Sequence, residues 1–177
     1  MKSFGLPLFA RRPLLAASVL ALFAAPVLLN PAMAAAPMVK TSAPGYFRMM
    51  LGDFEVTVLS DGTVDLPVDK LLTNTAPAKT LATLAANYLP VPVETSVNAY
   101  LVNTGSKLVL IDTGAAGLFG PTLGKMLANL KASGYTPDQV DEIYITHFHG
   151  DHVGGLMAGE QRVFPNAVVR AEKHESD

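Results

Sequence analysis

Hydrophobic and polar positions follow a two-residue rhythm early in the chain and a helical rhythm later. Phe54-Glu55-Val56-Thr57-Val58-Leu59 is β-branched and predicts a strand. Asp61-Gly62 behind it reads as a hairpin turn. From Pro77 to about Asn87 the residues Leu81, Leu84 and Tyr88 recur at helical spacing; Pro77 suits a first turn, and Pro90 and Pro92 end the run. Residues 97–102 and 107–111 predict two paired strands around a turn at Asn103-Thr104-Gly105. A second helix is expected over 122–132, with Pro121 before it, Leu123, Leu127 and Leu130 as its core stripe, and Gly134 as its stop. Residues 141–146 and 168–170 predict two more short strands. Strands first, then alternating helix and strand, imply an α+β chain whose helices cover sheets, not an all-β sandwich.

The amino terminus has a different pattern. Lys2, Arg11 and Arg12 precede an apolar run from Leu14 to Ala25, and Ala32-Met33-Ala34 follows. A basic segment, an apolar segment and an A-x-A site make a signal peptide, expected over residues 1–34 with cleavage after Ala34 and Ala36 as a second site. The apolar run of about a dozen residues falls short of the ~20 that span a bilayer, so no stable membrane association is expected once the leader is removed. Arg11-Arg12 also fits a twin-arginine signal, and the two export routes stay open. Either way the expected location is the periplasm or beyond.

Composition narrows the rest. Of 177 residues 50% are hydrophobic and 16% charged, which suits a folded chain and not a disordered one. The formal net charge is −2, so no basic field exists to attract nucleic acid. Cysteine is absent, which excludes disulfides, thiolate metal sites and a cysteine nucleophile.

The chemistry is concentrated in Thr146-His147-Phe148-His149-Gly150-Asp151-His152. Neutral imidazoles and carboxylates are the usual ligands of zinc and related divalent ions. His147 and His149 are separated by one residue, so an extended segment projects both to one side. Gly150 then lets the chain turn and brings Asp151 and His152 toward a second ion. Val153-Gly154-Gly155 permits close backbone packing behind the loop. His174, alone near the end of the chain, reads as a surface residue.

His147-Phe148-His149-Gly150-Asp151-His152 resembles the H-x-H-x-D-H signature of the metallo-β-lactamase superfamily, and Ile111-Asp112-Thr113-Gly114 resembles its upstream aspartate motif. Within it, Leu51-Gly52-Asp53-Phe54-Glu55, the run from Asp112 to Thr122, and Gln139 through His147 resemble the bacterial methyl parathion hydrolases. That resemblance implies an αβ/βα four-layer sandwich with metals at one edge, residues 35–177 supplying roughly its first half. It implies His147 and His149 on one ion, Asp151 and His152 on the other, and Asp151 as a catalytic residue. Asp112 would hold the ligand loop by hydrogen bonds, and Phe119 would wall the pocket for an aromatic leaving group. As bare sequence Phe119 reads equally well as a core aromatic.

Two departures from the family stand out. Gly150 occupies a position where proline is expected. The later segments of the family bring one more histidine to each metal and a bridging aspartate, and only His174 remains here, so the chain is expected to be part of a longer protein. Two divalent ions are implied, zinc first, with manganese, cobalt or iron also accepted by such ligands. The expected reaction is hydrolysis of aryl phosphotriesters by hydroxide generated between the ions. The alternatives are a lactonase, arylesterase or β-lactamase on the same scaffold, or a secreted metal-binding protein without catalysis. The expected partner is a small-molecule substrate, with a homodimer as an option.

Overall fold

Alternation of buried and exposed side chains builds the sheet at the centre of this computed structural model, which describes residues 36–175. The leader expected over 1–34 lies outside the described residues. The described residues from Thr41 onward form one compact unit. Among the described residues no helix is long and apolar enough to cross a membrane.

Strands β1 (Tyr46–Leu51), β2 (Phe54–Leu66), β3 (Val93–Asn103) and β4 (Leu108–Ile111) form an antiparallel meander. β5 (Glu142–Ile145) and β8 (Val168–Ala171) extend it in parallel, giving a six-stranded sheet of order β1-β2-β3-β4-β5-β8. Parallel neighbours need long crossovers. Helix α3 (Met126–Ala132) lies in the first, and α4 (Gly150–Val153) in the second with the small hairpin β6 (Met157–Ala158) and β7 (Gln161–Arg162). Helices α1 (Val68–Leu71) and α2 (Pro77–Ala86) join β2 to β3.

One face of the sheet carries the core. Leu59, Ala99, Leu101, Leu110 and Ile143 are buried with Met126 and Leu130 of α3, together with Val140, Phe164 and Ala167. Burial of that apolar area is the main stabilising term. The other face is half exposed among the described residues. A row across it, Val58, Tyr100, Ile111 and Tyr144, follows the strand register, and Tyr100 and Tyr144 are 42% and 44% exposed.

The structure corrects three local expectations. Asp61-Gly62 is not a hairpin turn: β2 runs straight through it with a bulge, the register to β3 shifting between Ser60 and Gly62. Gly62 has φ +126°, and a Cβ there would lie 2.1 Å from the Thr122 carbonyl oxygen, so the glycine serves a close approach inside a strand. Helix α3 starts at Met126 and not at residue 122, because the chain bends through Gly124 at φ +84° with Leu123 already buried beforehand. The apolar spacing of α2 is present but largely unburied, Leu81 being exposed and Tyr88 lying beyond the helix at 96% exposure. β1 went unread in the sequence.

The bulge explains the start of α3. Asp61 is 1% exposed, and its carboxylate accepts the Met126 N–H at 2.9 Å and the Ala115 N–H at 2.8 Å. Its own carbonyl accepts the Lys125 N–H at 3.1 Å. A buried carboxylate thus satisfies an unpaired amide at a helix start and one of the loop that follows β4.

Candidate metal centre

Parallel pairing of β4 with β5 puts their carboxyl ends side by side, so Asp112 and Thr146, each just beyond its strand, meet there. The edge beyond the carboxyl ends of parallel strands is where open α/β sheets place their sites. Asp112 takes φ +58° and donates its N–H to the Tyr144 carbonyl at 2.9 Å. Its carboxylate, only 9% exposed, accepts the Thr146 N–H at 2.8 Å and the Thr146 hydroxyl at 2.9 Å. It also faces His152 Nδ1 at 2.8 Å.

That last contact fixes a tautomer. An ionised carboxylate can only accept, so His152 Nδ1 carries a proton, and Nε2 is the nitrogen turned toward Asp151. Thr146 works the same way on its other side: its hydroxyl donates to Asp112 and accepts from His147 Nδ1 at 3.1 Å, which frees His147 Nε2. Backbone contacts hold the loop from behind. The Thr113 N–H and hydroxyl both donate to the His152 carbonyl, at 2.8 and 2.9 Å. A Cβ on Gly155 would lie 2.1 Å from the Thr113 carbonyl oxygen, so glycine permits this approach.

The four proposed ligands come together as two pairs. His147 Nε2 and His149 Nδ1 are 3.1 Å apart, and Asp151 Oδ2 and His152 Nε2 are 3.3 Å apart. Two donors on one tetrahedral zinc at about 2.1 Å each would sit roughly 3.4 Å apart. Both spacings fit a divalent ion, and the donor types are those zinc accepts. Among the described residues no group of three or more His, Asp or Glu is gathered around one point. The remaining coordination positions of each ion would therefore fall to water, substrate or other protein groups. His174 pairs with Glu172 at 2.9 Å, and none of its hydrogen bonds reaches the cluster.

Beside the pairs lies a cavity of about 460 Å³. Asp112, Thr146, Asp151, His152 and Phe119 line it together with Val64 and Leu66 of β2 and Ser96, Asn98 and Tyr100 of β3. His147 and His149 are not part of that lining. Phe119 is 44% exposed, so it is a wall residue and not a core aromatic. Sequence reasoning missed the β2 and β3 wall. Its signal was the two-residue alternation of Ser96, Asn98 and Tyr100 against buried Val97, Ala99 and Leu101.

At the other end of β5 sits a charged knot. Lys107, Tyr144 and Arg170 all hydrogen-bond the Glu142 carboxylate. Those bonds, Lys107 foremost, pull the Glu142 carboxyl from 4.5 down to about 2. The same contact raises Lys107, and the Glu142 carboxylate raises the Tyr144 phenol.

The Metallo-beta-lactamase superfamily model matches residues 92–176. The Caenorhabditis elegans beta-lactamase-like protein 2 homolog is 42% identical over 60 residues, 33% of this chain and 19% of that protein. The crystal structure of hydrolase AbOPH, of the beta lactamase superfamily, is 42% identical with a TM-score of 0.71, over 77% of this chain and 47% of that one. AidC, a dizinc quorum-quenching lactonase solved with its product, is 28% identical with a TM-score of 0.67, over 74% of this chain and 46% of that one. The chain thus spans about half the length of these two structures. The α+β fold is the metallo-β-lactamase fold in part, its six-stranded sheet packed against α3. Over residues 92–176 the chain matches the model of the Metallo-beta-lactamase superfamily, and the chain has part of the fold of its structural neighbours in that superfamily.

Proposed function

We propose that this chain carries the amino-terminal, metal-binding part of a hydrolase that cleaves aryl phosphotriesters. The observation that carries the reading is the pairing of donors, His147 with His149 and Asp151 with His152, beside a cavity walled by Phe119. The ions such donors hold, zinc by ligand type, supply Lewis acidity that lowers the pKa of water and polarises a phosphoryl oxygen.

The chain's own residues have distinct tasks. Asp112 and Thr146 hold His152 and His147 in the tautomers that present Nε2. Asp151 adds the negative charge that a dication favours. Phe119, Leu66 and Val64 offer an apolar wall to an aryl group, while Ser96 and Asn98 offer polar contacts. A phenolate of low pKa leaves without a general acid, which suits a lining whose carboxylates and imidazole are proposed ligands or their support. Export on the leader read at 1–34 belongs to the same proposal, as do a small-molecule substrate and an optional second copy of the chain.

A lactonase is the second reading, favoured by the likeness to AidC at a TM-score of 0.67. The two are separated by kcat/KM for diethyl 4-nitrophenyl phosphate against an acyl homoserine lactone. Preference for the phosphotriester, lost with a chelator and regained with zinc, is expected. Lactone preference of about a hundredfold, some 2.7 kcal/mol, moves the assignment to the lactonase.

A further inference from the structure

Gly150 opens helix α4 between two proposed ligands, His149 and Asp151. A Cβ built there would lie 3.0 Å from Phe119 Cε2, 3.7 Å from Phe119 Cζ and 3.3 Å from Leu118 Cδ1. The Phe119 ring therefore rests against the bare Cα of the ligand loop. Its own loop is tied down: Leu118 N–H donates to the Ala115 carbonyl at 3.0 Å, and Ala115 N–H donates to the buried Asp61 carboxylate at 2.8 Å. A methyl group at Gly150 would therefore push the Phe119 ring, 44% exposed on its other side, by a few tenths of an ångström. Leu118, at 65% exposure, can yield.

We propose that Gly150 is a specificity-determining position of the cavity. The missing side chain lets Phe119 seat on the ligand loop and so sets the gap between the aromatic wall and the Asp151 and His152 side chains. The inference rests on reading this cavity as the substrate pocket. Gly150 is not among the glycines with positive φ, so alanine fits its backbone. The substitution therefore changes the ring contact without backbone strain in α4. Such a shift alters the fit of a flat ring against the wall, because a gap of roughly 0.5–1 Å forfeits a quarter to a half of a packed contact's attraction.

The test is a titration of 4-nitrophenol, which binds without being cleaved, into the zinc-loaded protein and its Gly150→Ala, Phe119→Ala and doubly substituted variants. The probe makes the result independent of which bond the enzyme hydrolyses. Gly150→Ala is expected to weaken binding by about threefold or more with zinc content unchanged, and to add nothing once Phe119 is alanine, as contacting residues couple. Unchanged affinity in Gly150→Ala, an equal loss in the Phe119→Ala background, or loss of zinc would overturn the proposal. Should the unsubstituted protein and Phe119→Ala bind 4-nitrophenol equally poorly, the pocket reading itself falls and takes this inference with it.

Discussion

The Asp112 carboxylate meets the His152 imidazole at 2.8 Å, across 40 positions of sequence. That bond is the hinge between the sheet and the proposed metal pair. Asp112→Asn keeps the shape but turns an obligate acceptor into a group with donors, leaving the His152 tautomer unspecified. Zinc affinity is expected to fall about 10–100-fold, the usual effect of removing a ligand's hydrogen-bond partner. Competition with a chromogenic chelator measures it; unchanged affinity would show that Asp112 serves only the β4 end.

Asp151→Asn and His149→Ala each remove one member of a donor pair. Both should lower zinc content and cut hydrolysis by several orders of magnitude, since each ion would keep only one donor from the loop. His174→Ala should leave both within about twofold, because an exposed His–Glu contact contributes little. Elemental analysis beside an activity assay checks all three.

Gly155→Ala forces a methyl group to within 2.1 Å of the Thr113 carbonyl oxygen. A backbone neighbour cannot rotate away, so the cost should reach or exceed the upper end of the roughly 1–3 kcal/mol of an overpacked site. Chemical denaturation reads the loss; an undiminished midpoint would mean that the ligand loop shifts as a body.

Glu142 gives a pH signature. Its folded-state pKa is lowered to about 2 from 4.5, so its contribution to stability is complete above the ordinary value and lost as pH falls through that window. Glu142→Gln should therefore lower Tm near neutrality, with the gap to the unsubstituted protein closing between about pH 5 and about pH 2. A constant gap across that range would assign the effect to packing.

The proposed ligands were legible because H-x-H-x-D-H is contiguous: donor types and spacing lie within one local stretch. Asp112 was legible only through likeness to a known motif, since nothing nearby announces that β4 and β5 pair in parallel. Helix α2 was readable from spacing, yet spacing could not tell that Leu81 would stay exposed. Asp61-Gly62 misled because a turn and a bulge ask the same of glycine, a positive φ, and the deciding partners are Ala115 and Met126, far along the chain. The wall of Ser96, Asn98 and Tyr100 depends on which sheet face the helices cover, a tertiary choice that alternation alone does not make.

Asp61 also links events in time. One carboxylate holds the amides of Ala115 and Met126, and the same residue's carbonyl holds Lys125. Neither the meander nor the loop after β4 can swing away without leaving a buried charge unsatisfied, a cost of several kcal/mol. The three amide protons should therefore exchange with deuterium as a group, through one shared opening, at a rate slower than the exposed segment 117–122 between them.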